Sequence, residues 1–111
     1  MTIQHLAIKS IGRIQIVPVG SIIFIKGANN YLEVHTDKGI FLHREALQAL
    51  CEKLDQSKFV RVHRSALINI NHLKEINSEL GRYSVAQLTN GEELKIGSAY
   101  KDELFTRLGI Q

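Results

Sequence analysis

The chain has one cysteine, one proline and no tryptophan, and its apolar residues come in short runs. Cys51 alone cannot close an internal disulfide. Its place on an apolar helical face marks it as a small buried hydrophobe rather than a reactive thiol. The longest apolar stretches, such as Ile22 to Ile25, fall far short of the roughly 20 residues a membrane-spanning helix needs, so no membrane contact is expected. The first ten residues lack the basic region, apolar run and small-residue cleavage site of a secretory leader, and the expected location is the cytoplasm. A single proline and no low-complexity tract argue against disordered and fibrous classes.

Catalytic signatures are missing as well. The eight glycines form neither a phosphate-cradling loop nor a dinucleotide fingerprint, and Ser10, Ser21, Ser65, Ser84 and Ser98 lack a nucleophile-elbow sequence. Glu92 and Glu93 are adjacent in an extended segment, so they point to opposite faces and cannot flank one scissile bond. Of the five histidines, His35 and His43 on neighbouring strands are the best pair, but no third ligand and no short metal-binding spacing accompanies them. The sequence therefore predicts no enzyme, no cofactor and no metal site.

What remains is a chain of 111 residues, 44% hydrophobic and 23% charged, sized for one domain over 1–111 with a modest core. Short segments rich in Ile, Val, Leu, Phe and Tyr, bounded by turn residues, predict a mainly β fold. The expected strands are Ile3 to Ile8, Arg13 to Val17, Ser21 to Lys26, Tyr31 to Thr36, Ile40 to His43, Ala66 to Ile70, Leu73 to Asn77, Tyr83 to Leu88 and Glu93 to Ile96. Pro18 predicts a bend after the second. Asp37-Lys38-Gly39 and Asn90-Gly91 are hairpin signals, the latter suited to a type I′ turn. In the first hairpin, alternation puts Leu32, Val34 and Thr36 on one face and Tyr31, Glu33 and His35 on a wet one. The Tyr83 strand alternates poorly, which leaves a bulge or two-sided burial open. Leu47, Leu50, Cys51 and Leu54 recur at helical spacing, and a second short helix is expected after Ser98 as its cap, with Leu104, Phe105 and Leu108 inward and a stop at Gly109.

The formal charge is only +3, but its distribution is uneven. Residues 56–74 contain Lys58, Arg61, Arg64 and Lys74 with no acid, leaving ten basic against eleven acidic residues elsewhere. Within this window Phe59-Val60-Arg61-Val62-His63-Arg64-Ser65 interleaves strand-anchoring apolar residues with basic and hydrogen-bonding ones. An arginine fork can hold a phosphate bidentately or read the O6 and N7 edge of guanine. The same pattern also describes an edge strand protected by charge.

Residues Ser21 to Tyr31, Arg44 to Leu47, Phe59 to Asn69, Leu88 to Gly91 and Leu94 to Lys101 together make the sequence resemble the LytTR DNA-binding domain, the output module of many bacterial transcriptional regulators. The phenylalanine, the Arg-x-His-Arg-Ser block and the later asparagine carry most of the likeness. The resemblance implies small antiparallel sheets with short helices, and loops rather than a recognition helix reading successive major grooves of double-stranded DNA. Base contacts carried over to this chain fall on Asn29 or Asn30, on Arg64, and on the Ser98-Ala99 segment, where family members often carry arginine. Arg61, His63, Ser65 and Lys101 become phosphate-positioning groups, so that Arg61→Ala is expected to weaken all duplexes alike. Tandem half-sites filled by two copies and a receiver domain as partner are further implications. The alternative is a module that keeps this scaffold but binds or sequesters another regulator, with Ala99 marking weakened DNA contact.

Overall fold

The computed structural model describes residues 2–110, of which about half lie in strands. In chain order the elements are β1 (His5–Ser10), β2 (Arg13–Pro18), β3 (Ile22–Ala28), β4 (Tyr31–Thr36), β5 (Gly39–His43), α1 (Leu47–Lys53), β6 (Phe59–His63), β7 (Ala66–Asn69), β8 (Leu73–Glu79), β9 (Arg82–Leu88), β10 (Glu93–Lys95) and α2 (Lys101–Arg107). Short 3-10 turns at Val19–Ser21 and Ile70–His72 follow β2 and β7. All strand pairs are antiparallel. A central five-stranded sheet runs in the order β5-β4-β3-β7-β6, flanked by the β1-β2 hairpin and by a β10-β9-β8 sheet.

Because the central sheet is covered on both sides, its inner strands read as nearly continuous apolar runs. One core joins Leu6, Ile8 and Val17 of the hairpin and Leu50 and Leu54 of the α1 region to Ile22, Ile25, Val34, Phe59 and Leu67. The other joins Ile23, Phe24, Val60, Val62 and Ile68 to Ala86, Leu88, Leu94 and Ile96 of the third sheet region and Leu104 of α2. Ile23 and Phe24 face the same core because a bulge at Ile23 breaks the β3-β4 register between Ile22 and Phe24. Asn69 is 3% exposed, yet fully used: its Nδ2 donates to Ile22 O at 2.9 Å and its Oδ1 accepts from Asn71 N at 3.0 Å. The asparagine that contributes to the family likeness is thus a core brace tying β7 to β3.

Several sequence expectations need correction. His35 does not lie on a wet face. It is 7% exposed, stacked on Phe24 with ring centroids 4.0 Å apart, and its Nε2 meets Glu33 Oε1 at 3.0 Å; the Phe24 ring it stacks on belongs to the core shared with the third sheet and α2. Phe59–His63, left out of the expected strands although its pattern also describes a charge-protected edge strand, is an edge strand. The irregular β9 is explained by a bulge, since Asn77 pairs with Val85 and Ser78 with Tyr83, leaving Ser84 extra. At Asn90-Gly91 only Gly91 has positive φ, 87°, so the turn is not type I′; Leu88 N donates to Glu92 O at 2.9 Å across the three residues Thr89-Asn90-Gly91. Ser98 caps nothing. Residues 98–100 form a turn, Tyr100 is the N-cap of α2, and no side chain caps that end. The α2 C-terminus does stop at Gly109, φ 74°, where Gly109 N bonds Thr106 O and Ile110 N bonds Phe105 O, a Schellman arrangement.

Candidate nucleic-acid interface

Pairing order decides which loops meet. Lys26 lies opposite Ala66, and beyond that pair Gly27 N donates to Ser65 O at 2.8 Å. The β3-β4 turn, Asn29-Asn30, is therefore a direct neighbour of the β6-β7 turn, Arg64-Ser65. Asn29 sits at φ 56°, a left-handed conformation that asparagine tolerates better than most residues. A third segment is stapled alongside: Gly97 N donates to Val62 O at 2.7 Å, and Tyr100 N returns to Gly97 O at 3.0 Å. A Cβ built on Gly97 would lie 3.3 Å from Tyr100 Cδ2 and 3.6 Å from His63 Cδ2, so glycine lets this segment lie close against β6. Asn29 and Asn30, Arg64 and Ser65, and Ser98 and Ala99 are all exposed, with Lys101 half-buried beside them.

Two networks hold this end of the sheet in shape. Ser65 N donates to His63 Nδ1 at 3.2 Å, and Ser65 Oγ lies 2.9 Å from the same nitrogen. A backbone N–H can only donate, so Nδ1 is the acceptor and the proton of the neutral ring is assigned to Nε2. Arg61 is engaged from several sides: Nε donates to His63 O at 3.3 Å, Nη1 to Gln48 Oε1 at 3.0 Å and Nη2 to Arg64 O at 2.5 Å, while its guanidinium carbon lies 5.6 Å from the Tyr100 ring centroid. The resemblance makes Arg61 a phosphate-positioning group; the structure shows its internal partners. Its guanidinium ties α1, the β6-β7 turn and the segment before α2 together, and Gln48 and Tyr100 belong to the site although neither was singled out from the sequence. Gln48 is an exposed residue of α1 whose use only a partner 13 residues away reveals.

Arg64 presents the opposite case. Its carbonyl is used, but its exposed side chain makes no hydrogen bond or ion pair among the described residues. Lys101 folds toward its own helix, with Nζ 6.0 Å from the Phe105 ring centroid. Next to the Asn29-Asn30 turn, the loop after β5 is braced by acid-base contacts: Glu45 Oε1 meets His43 Nε2 at 2.8 Å and Oε2 meets Lys53 Nζ at 2.6 Å. Burial raises the Glu45 pKa, but the hydrogen bonds and charges of Lys53 and His43 outweigh it, and the carboxyl titrates below its ordinary value. His43 lies opposite Leu32 and His35 opposite Ile40, so the two histidines sit at separate register positions.

Comparison with known proteins agrees with this architecture. Residues 12–109 match the family model of the LytTR DNA-binding domain. The chain is 26% identical over 107 residues to the transcriptional regulatory protein LytR of Staphylococcus aureus strain N315, covering 96% of this chain and 44% of that protein. It is 29% identical over 97 residues to the sensory transduction protein LytT of Bacillus anthracis, covering 87% and 39% respectively. The chain thus spans less than half the length of these curated relatives. A solved LytTR DNA-binding domain from Bacillus cereus superposes with a TM-score of 0.85 at 23% identity, covering 96% of this chain and 98% of that one, a likeness of fold. Among the described residues, no helix is long and apolar enough to cross a membrane.

Proposed function

The chain belongs to the family of LytTR DNA-binding domains, and from that premise we propose that it recognises double-stranded DNA by sequence in bacterial transcription regulation. The observation that carries this reading is the stapling of three loops, 29–30, 64–65 and 98–101, at one end of a rigid sheet with the Arg64 side chain uncommitted. A planar guanidinium free of internal partners loses no hydrogen bonds on meeting the O6 and N7 edge of guanine, and the amide of Asn30 matches N6 and N7 of adenine. The assigned Nε2–H of His63 and the hydroxyl of Ser65 suit phosphate oxygens, fixing register rather than sequence. Ala99 offers only apolar contact, as with a thymine methyl, so the third loop adds the least hydrogen bonding.

In this reading Arg61 acts chiefly on Arg64. By bonding the carbonyls of residues 63 and 64 it sets the turn from which Arg64 projects, and its stack on Tyr100 locks the neighbouring segment. No covalent chemistry is required; recognition rests on preorganised donors and released counterions. Two copies on tandem half-sites, within regulators that also carry a receiver domain, complete the proposal. Selection of duplexes from a random pool, followed by footprinting at several salt concentrations, tests it. Enrichment of a defined site with affinity that falls steeply with salt is the expected result. Failure to enrich any sequence overturns it.

A further inference from the structure

The loop end of the sheet extends past Asn30. Leu32 of β4 pairs with His43 of β5, so the chain leaves β5 at the same end of the sheet as the 29–30 and 64–65 turns. Arg44 follows there. Glu45, Ala46 and Leu47 line a hollow together with Asn29 and Asn30. On the other side of Tyr31, Arg44 lines a cleft of about 650 Å³ with Lys9, Ser10, His43, Glu45 and Lys53.

The charges in that cleft are unequal in their freedom. Glu45 is the acid lining it, and its carboxylate is taken up by His43 on one oxygen and Lys53 on the other. Arg44 is exposed and has no side-chain hydrogen bond or ion pair among the described residues, and Lys9 is likewise exposed and unpaired. The bridged Glu45 therefore anchors the loop without neutralising Arg44. This is the same condition that distinguishes Arg64 at the other end of the row.

Spacing separates the tasks of the two arginines. From β5 to β6 the sheet makes four lateral steps, about 19 Å at the usual interstrand distance of about 4.8 Å. The major groove of B-DNA is only about 12 Å wide. If the turns at 29–30 and 64–65 occupy the groove, the far end of the row at Arg44 overhangs its rim, where phosphates lie.

We infer that Arg44, with Lys9 beside it, forms a second phosphate clamp that grips the DNA backbone flanking the bases read by Asn30. The inference rests on the DNA-binding reading above and assigns Arg44 to affinity rather than base choice.

The test compares the intact chain with Arg44→Ala and Arg44→Lys on a selected duplex and a scrambled one, by titration across salt concentrations and by phosphate-ethylation interference. Arg44→Ala should weaken both duplexes by a similar factor and lower the salt slope by about one. It should also abolish interference at a phosphate outside the footprint of the base contacts. Arg44→Lys keeps the charge and should restore the slope, and Lys9→Ala should give a smaller change in the same direction. Unchanged slope and unchanged interference in Arg44→Ala, with the parent chain still selecting its site, overturn the clamp and leave the DNA-binding reading standing. A parent chain that binds no duplex in a salt-dependent way overturns both.

Discussion

At the end of the central sheet where β3 turns into β4, Asn29, Asn30, Arg44 and Arg64 are exposed and their side chains have no partners among the described residues. At the opposite end the polar groups close on the protein itself. Thr36 Oγ1 donates to Gly39 O at 2.9 Å and accepts from Lys38 N, Asn69 bridges Ile22 and Asn71, and Asp55 accepts from both the backbone and the hydroxyl of Ser57. Those hydrogen bonds lower the Asp55 pKa. At the closed end these polar groups bond internally, whereas at the loop end Asn29, Asn30, Arg44 and Arg64 stay unpaired among the described residues beside the bonded Arg61, His63 and Glu45. A surface that must exchange water for DNA loses least when its donors are not already satisfied internally.

The contrast can be broken from either side. The largest effect belongs to the closed end: Phe59→Ala, removing a fully buried ring shared by β6 and the α1 core, should cost about 3 to 5 kcal/mol of stability by urea unfolding, and DNA binding should fall with it. A pair of smaller changes then separates the ends. Asn69→Ala should lose about 1 to 3 kcal/mol of stability by removing the side-chain donor to the buried Ile22 carbonyl, with base preference intact. Arg64→Ala should do the reverse, relaxing preference at one base position by about 1 to 3 kcal/mol with an unchanged melting temperature. If Arg64→Ala unfolds the protein, or leaves every base preference untouched, the division between the ends fails.

Arg61 sharpens the comparison because it belongs to the loop end but is bonded like the closed one. Arg61→Lys retains the charge and loses the fork that joins Gln48 to the carbonyls of residues 63 and 64. The ratio of selected to scrambled affinity should drop while the salt slope holds. A preserved ratio would instead assign Arg61 simply as a cation for phosphate. The smallest effect concerns pH. The folded pKa of Glu45 lies below its ordinary value of 4.5, so its ionised form contributes stability that is fully present above that value and is lost as pH falls through the folded pKa. Glu45→Gln should flatten the dependence of thermal stability on pH in that acid window; an identical acid decline in both proteins would remove the bridge as its cause.

Much of this molecule is legible along the chain. β-branched and aromatic runs mark nine strands within a few residues, and the spacing of Leu47, Leu50, Cys51 and Leu54 marks α1. The missed β6 strand and the turn type at Asn90-Gly91 are local failures; the others are nonlocal. His35 is buried and stacked on Phe24, a core residue of the neighbouring β3, so alternation within β4 alone could not reveal its burial. Ser98 has the right chemistry for a cap, but Gly97 is held by Val62 and the chain turns once more before the helix can start. Gln48 and Tyr100 sit 13 and 39 positions from Arg61, and nothing in either local context points to a guanidinium.

Local residue chemistry was enough to mark nine of the ten strands among the described residues, most turns and the basic stretch, because propensity and side-chain function act over a few neighbouring positions. Strand order could not be obtained that way. Placing β3 against β7 brings Asn29 and Asn30 beside Arg64, and carrying β5 to the same end adds Arg44. Which arginine is free and which is tied follows from those long-range pairings, since only the packed sheet brings Gln48, Tyr100 and two backbone carbonyls to one guanidinium and leaves its neighbour facing water.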